Sequence, residues 1–183
     1  MFIELAKKRR SIKKFTSQQV EQKKVDAIIE AALRAPSGRG TRPWELVFVK
    51  DKGLLEKLSV AKPGGAAFVK DASLGIVVCG DPSKSGLWLE DCAIAAVSMQ
   101  YAAHSMGLGS RWAHIRENNY NDGKSSRDYI AELLDLPDNL DVECIIAIGY
   151  PGEEIVPYRK EDLAFDKISY HSYGPGPIPS PEF

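Results

Sequence analysis

The chain has 183 residues, enough for one domain with a sizeable core or one subunit of an oligomer. With 44% hydrophobic and 27% charged residues, it has the balance of an ordinary soluble globular protein. A net charge of −1 argues against broad attraction to nucleic acid or an anionic membrane, so the positive charge that matters is local.

That charge lies near the start. Phe2 to Arg9 carries apolar residues at 2, 3, 5 and 6 and reads as a short helix. It runs into Arg9-Arg10-Ser11-Ile12-Lys13-Lys14-Phe15. Thr16 or Ser17 is the expected cap or lead-in of a second helix. Its Val25, Ile28, Ile29, Ala32 and Leu33 repeat at the spacing of one buried face. Pro36 stops that helix, because the residue before a proline avoids the helical region. Trp44 to Val49 is β-branched and aromatic and reads as a strand. Leu54 to Val60 is a short helix, and Lys62 to Gly65 a loop. Leu74 to Cys79 is continuously apolar, the mark of a strand covered on both faces.

Leu87 to Met106 is the long helix, and Glu90, Asp91, Gln100 and His104 within it argue against a membrane span. It is apolar around most of its girth, and at about 30 Å it needs more cover than one subunit readily supplies. A homodimer interface is the expectation, with a central helix in a monomer as the alternative. Gly107-Leu108-Gly109 places glycine where a left-handed C-cap belongs. Ser110 to Ile115 reads as a short extended segment and Asn118 to Ser125 as a polar loop. Ser126 to Leu136 reads as a helix capped by Ser126, and Val142 to Tyr150 as a third, buried strand. From Pro151 the chain is irregular and proline-rich. Interspersed helices and antiparallel-compatible strands make an α+β fold, with no internal repeat.

Met1 to Leu5 is too short for a signal-peptide core, and lysines and arginines follow at once. Three widely spaced cysteines, Cys79, Cys92 and Cys144, read as buried small hydrophobes in a reducing compartment. A cytoplasmic protein is expected.

Two segments carry candidate chemistry. In the first, Arg9 can clamp a phosphate bidentately, Arg10 can add a contact, and the Ser11 hydroxyl and backbone N–H can complete the set. Lys13 can serve differently, as the cation that stabilises an electron-rich heterocycle such as a reduced flavin. Taken alone, the same run reads as a solvated helix end, as most Lys/Arg runs are. In the second, Ala35-Pro36-Ser37-Gly38 exposes backbone that can hydrogen-bond the polar edge of a ring, with Arg42 nearby and Trp44 anchoring the strand. Alone, that segment is simple punctuation between helix and strand.

Other motifs fail. Asp122-Gly123-Lys124-Ser125 is no phosphate loop, because Asn118 stands where the first glycine belongs. Gly107-Leu108-Gly109-Ser110 is no nucleophile elbow, because Leu108 replaces the required glycine. No GxGxxG follows a strand, and His104, His114 and His171 lack metal-ligand spacing. A metalloenzyme is not expected, and His104 reads as a core or interface residue.

From Phe2 to about Phe165 the chain resembles the nitroreductase family of FMN-dependent NAD(P)H oxidoreductases. Four ordered blocks carry the likeness: Arg9-Arg10-Ser11-Ile12-Lys13 with Phe15; Ala35-Pro36-Ser37 with Pro43-Trp44; Ala102 to Ser110 with Trp112; and Ile146 to Pro151 with Pro157 and Arg159-Lys160. The resemblance implies one FMN-binding domain over residues 1–165 and an irregular tail over 166–183. It implies an α+β homodimer, a mixed sheet flanked by helices, with the long helix at the interface and FMN bound between subunits. Arg9, Ser11 and Arg159 or Lys160 would grip the phosphate. The Pro36-Ser37-Gly38 loop would reach the flavin from the partner subunit. Trp112, Ala113 and His114, with Gly149 nearby, would supply backbone beside the flavin.

Three positions depart from the family pattern. Gly40 and Arg42 replace an asparagine and a glutamine, and His114 falls where some members carry an acid. The implied activity is ping-pong transfer of hydride from NAD(P)H to a nitroaromatic, quinone or similar small acceptor. No catalytic side-chain dyad is needed, because the chemistry sits on the flavin. The alternatives are a flavin- or phosphate-ligand-binding protein without nicotinamide turnover, and a relative with dehalogenase or dehydrogenase chemistry.

Overall fold

The computed structural model describes residues 1–174. Helix α1 spans Phe2–Lys8 and α2 spans Gln22–Leu33. Strand β1 (Trp44–Val49), helix α3 (Lys52–Ser59), strand β2 (Leu74–Gly80) and helix α4 (Trp88–Ser105) follow. Then come β3 (Gly109–His114), β4 (Asn119–Asn121), β5 (Lys124–Ser125), α5 (Ser126–Leu134) and β6 (Asp141–Gly149). The segment expected to be a polar loop before α5 is therefore a small hairpin, in which Asn119 pairs with Ser125.

The main sheet has the order β1-β2-β6-β3, and every neighbouring pair is antiparallel. Its one parallel element is a bridge between Ser11 and Ser110 at the β3 edge. The two central strands alternate their side chains between two cores. Leu74, Ile76, Val78, Cys144, Ile146 and Ile148 face α2 and α4. Val77, Cys79, Ile145 and Ala147 face Leu55 and Leu58 of α3, Val69, and Ile130 of α5. Both faces are covered, which is why β2 and β6 read as continuous apolar runs.

Burial silences the cysteines. All three are free, and loss of solvent pushes Cys79 and Cys92 up to about 12 and Cys144 far above its ordinary value. Such thiols are packing groups, not nucleophiles.

Two caps differ from expectation. Helix α2 starts at Gln22, and its cap position is Glu21. Thr16 and Ser17 lie outside it because the Thr16 N–H donates to Tyr150 O and Phe15 bridges Pro151, so this stretch runs extended beside the end of β6. On α2, Val25, Ile28 and Ala32 are buried as expected, whereas Leu33 is exposed. Helix α5 is capped by Ser125, whose Oγ accepts from the Asp128 N–H at 3.0 Å; Ser126 lies inside the helix, fully buried, with its hydroxyl unpartnered.

Helix α4 lies along the sheet. Cys92, Ala95, Ala96, Met99 and Ala103 are buried, while Leu87, Ile94 and Val97 are exposed. Helix α1 packs near its far end, with the Phe2 and Tyr101 rings 4.7 Å apart. Among the described residues no helix is long and apolar enough to cross a membrane. The cap assignment predicts that Ser125→Ala costs about 1 kcal/mol of stability in urea unfolding. Ser126→Ala, which removes a buried hydroxyl without a partner, should cost nothing or stabilise.

Candidate functional site

The basic cluster is built into a corner of the fold. Helix α1 ends at Arg9, whose N–H still donates to Leu5 O, and the chain then turns to run beside β3. The Ile12 N–H donates to Ser110 O at 3.0 Å, and Ile12 is buried against Gly109, where a Cβ would come within 2.7 Å of Ile12 Cγ1. Ser110 thus turns its backbone away from β6. By the two-residue repeat of a strand, Trp112 and His114 turn theirs toward the same open edge, while Ala113 faces β6.

A cavity of about 200 Å³ opens in this corner, lined among others by Lys8, Arg9, Arg10, His104, Ser110 and Glu153. Arg9 has no carboxylate partner there; its guanidinium stands 5.9 Å from the Tyr101 ring centroid. Burial, with Arg9 and Lys8 nearby, pushes His104 below its ordinary value. His104 is therefore held toward its neutral form, and it lines the cavity beside the cations Lys8, Arg9 and Arg10. No group of side chains able to hold a metal ion exists among the described residues.

The segment after β6 closes the corner. The Lys13 and Lys14 N–H groups both donate to Glu153 Oε1, a tie across the chain that no sequence pattern announces. Arg10 donates to Val156 O and lies over the Tyr158 ring at 4.1 Å, so its guanidinium holds this segment. Arg159 is paired with Asp162, and Arg10 adds to the field that keeps Asp162 below the ordinary carboxylate range. Lys160 begins the following turn. Gly149 has a packing role, since a Cβ there would lie 3.0 Å from Phe15 Cδ1. The fold thus gathers Arg9, Arg10, Ser11, Lys13 and the 149–160 segment around one corner, with Trp112 and His114 further along the same open edge of β3.

Pro36, Ser37, Gly38 and Arg42 are elsewhere. Their loop is fastened to the first turns of α4, where the Gly38 N–H donates to Asp91 Oδ1 at 2.8 Å. Asp91 is 2% exposed, and its other oxygen has no hydrogen-bond partner. The cationic corner meets the same helix at His104, about 20 Å further along at 1.5 Å per residue. One chain therefore holds the two segments apart, at opposite ends of α4. Asp91 carries a sequence signal in retrospect, an acid inside an apolar helix.

A second buried acid sits at the far end of β3. A β-bulge in β6 leaves Glu143 without a partner residue in β2, between Cys144 opposite Val78 and Val142 opposite Cys79. Its carboxylate lies 3.9 Å from His114 Nδ1 and 3.8 Å from Arg116 Nε. Burial raises its pKa, and the neighbouring His114 and Arg116 only partly offset that.

The Glu153 tie gives a pH prediction. Its two backbone donors hold the Glu153 carboxyl below the ordinary 4.5. A depressed folded-state pKa stabilises above the unfolded value and is lost as pH falls through the folded one. The Lys13 and Lys14 amide resonances should therefore titrate together, with a midpoint below 4.5. In Glu153→Gln that titration should vanish.

Comparison with known proteins matches this architecture. The model of the nitroreductase family matches residues 6–70 and 60–150. An FMN-dependent nitroreductase from Clostridium difficile superposes with a TM-score of 0.92 at 44% identity, covering 93% of this chain and 99% of that one. The NADPH:FMN oxidoreductase of Vibrio harveyi, solved with NAD+, superposes at 0.80 with 26% identity, over 95% of this chain and 78% of that one. A Methanothermobacter thermautotrophicus relative named "Putative NADH dehydrogenase/NAD(P)H nitroreductase" is 36% identical over 154 residues, 82% of this chain and 78% of its own. The chain, by sequence and by fold, belongs to the nitroreductase family.

Proposed function

We propose that the protein is an FMN-dependent oxidoreductase that takes hydride from NAD(P)H and passes electrons to a small acceptor. Its two sites would each be shared between the copies of a homodimer. The observation that carries this is the separation of the two site segments along α4. A cationic corner at one end and a braced loop at the other, about 20 Å apart, cannot enclose one ligand within a single chain. Two copies packed through the exposed strip of α4 can bring the corner of one against the loop of the other. Leu87 just before α4, Ile94 and Val97 within it, and Phe2 and Ile3 of α1 supply that strip.

The residues present fit FMN. Arg9 without a carboxylate partner, beside Lys8 and His104, suits a phosphate monoester. The Lys13 side chain, on the segment beside β3, would place a cation by the electron-rich edge of the ring. The outward backbone of Trp112 and His114 offers N–H groups to the ring's polar atoms. Arg10 acts one step removed, by holding the 156–158 segment in place. FMN, when bound, supplies the two-electron redox chemistry. The chain's own task is to hold the ring, exclude water and admit NAD(P)H and then an acceptor, such as a nitroaromatic or quinone, to the same face in a ping-pong cycle.

Purified protein should bind FMN, turn yellow and bleach anaerobically with NADH or NADPH. Arg9→Glu should weaken FMN retention by about 100-fold or more, the scale of one charge-assisted bond lost and one repulsion gained. Far-UV dichroism should stay unchanged. Retention of FMN by that variant would refute the cradle.

Mixing tests the shared site. Arg9→Glu and Gly38→Glu chains should each be inactive alone. Heterodimers of the two should recover one working site, since one copy supplies an intact corner and the other an intact loop. A site contained within one chain would recover nothing.

A further inference from the structure

The loop from Ser37 to Arg42 is braced more heavily than a simple connection requires. Besides the Gly38 bond to Asp91, the Thr41 hydroxyl donates to Gly38 O at 3.0 Å and the Arg42 N–H to Ser37 Oγ at 3.1 Å. Within that brace Arg39 and Arg42 have φ of 53° and 47°, and Gly40 between them has 70°. Left-handed backbone is unfavourable for a long side chain, and it persists only where the surroundings over-determine it, most often at ligand-handling sites.

The two side chains stand apart from the chain's other arginines. Arg34, Arg116, Arg127 and Arg159 are paired with carboxylates, and Arg9, Arg10 and Arg111 lie over aromatic rings. Arg39 and Arg42 are exposed, and among the described residues neither guanidinium has such a partner. Glu45 shares a groove with Arg42 but is taken by Lys84 at 3.2 Å. Beside them the floor is apolar: Leu87, itself exposed, packs so closely that a Cβ on Gly38 would lie 2.8 Å from its Cδ1. These cations stand about 20 Å along α4 from the phosphate corner of their own chain, so they do not belong to its cradle.

We propose that Arg39 and Arg42 form an anion-selecting rim on the acceptor side of the partner's site. The acceptor class is then an aromatic carrying a carboxylate or equivalent anion, its ring over the apolar floor and its charge on the guanidinium fork. This rests on the shared FMN site proposed above. Asp91 is the positioning residue, acting through the Gly38 bond to hold the strained loop in place.

The test uses the FMN-loaded protein and two matched pairs. Para-nitrobenzoate and para-nitrobenzamide are compared as acceptors, and benzoate and benzamide as non-reducible ligands that perturb the flavin absorption. In the wild type the carboxylate should be preferred by about tenfold in both kcat/KM and affinity, the size of one charge-assisted hydrogen bond. The preference should shrink as salt is added. In the Arg39→Gln, Arg42→Gln double variant the ratio should fall toward one. Asp91→Asn should lower the ratio less than the double variant does, because it can still accept from Gly38. A ratio near one in the loaded wild type, or an unchanged ratio in the double variant, overturns the proposal and leaves the FMN reading standing. Loss of FMN affinity or of NADPH-over-NADH preference in the double variant, with the carboxylate ratio unchanged, would instead assign the rim to a phosphate. Wild-type protein that takes up no FMN overturns both.

Discussion

The length of α4 is the constraint on which the rest depends. Eighteen residues of helix lie along the sheet, and each end is fastened to a different segment. At the N-terminal end, Asp91 holds Gly38 and the loop around it. At the C-terminal end, Gly107 turns the chain at φ 78° into β3, and the Lys24 ammonium donates to Met106 O at 3.0 Å. The helix is a spacer as much as a core element. It keeps two polar segments, neither of which can enclose a ligand, at a fixed separation, and it leaves Ile94 and Val97 in solvent between them. An exposed apolar strip of this kind is the surface on which the proposed pairing of two copies rests.

Edge position explains why the corner has open backbone. A strand in the middle of a sheet has no backbone to offer, but β3 has β6 on one side only. The stretch around Ser11 covers the beginning of that edge and stops, leaving the positions of Trp112 and His114 open. The same covering stretch carries Arg9 and Lys13, so one bridge sets the distance between cations and open backbone. Glu153 then fastens the covering stretch from the other side. The bulge at Glu143 adds a buried carboxylate under His114 without disturbing the core, because the alternation of β6 shifts by one residue there. Bulges are used in this way to re-aim a side chain beside a functional edge.

Much of this was legible in the chain. Apolar runs covered on both faces marked β2 and β6, and β1 falls at Trp44–Val49 as read. Periodicity found α2, a long apolar stretch found α4, and glycine after α4 marked its end. Caps were less legible. Thr16, Ser17 and Ser126 are good capping residues by type, yet Thr16 is drawn, with Phe15 before it, into pairing with Tyr150 and Pro151, and Ser126 is displaced by its neighbour Ser125. Local propensity ranks candidates, and a competing long-range hydrogen bond chooses among them. Of the site, the family blocks marked most of the segments but not their engagements. Nothing local shows that Arg10 lies on Tyr158, that Glu153 ties Lys13 and Lys14, or that Gly149 is small to admit Phe15.

The sequence by itself determined the α+β class, the run of elements, the cationic segment at 9–14, the Pro36–Trp44 loop and membership of a flavin-using family. Those depend on periodicity, residue type and the order of short blocks, which survive in one dimension. Only the tertiary structure decided which cations are engaged and which are open, where the buried acids Asp91 and Glu143 sit, and that the two candidate segments lie at opposite ends of one helix. Those outcomes are set by contacts between residues tens to more than a hundred positions apart, such as Lys13 with Glu153 or Gly38 with Asp91. A distance through space has no counterpart in spacing along the chain, so no reading of the residues alone could supply it.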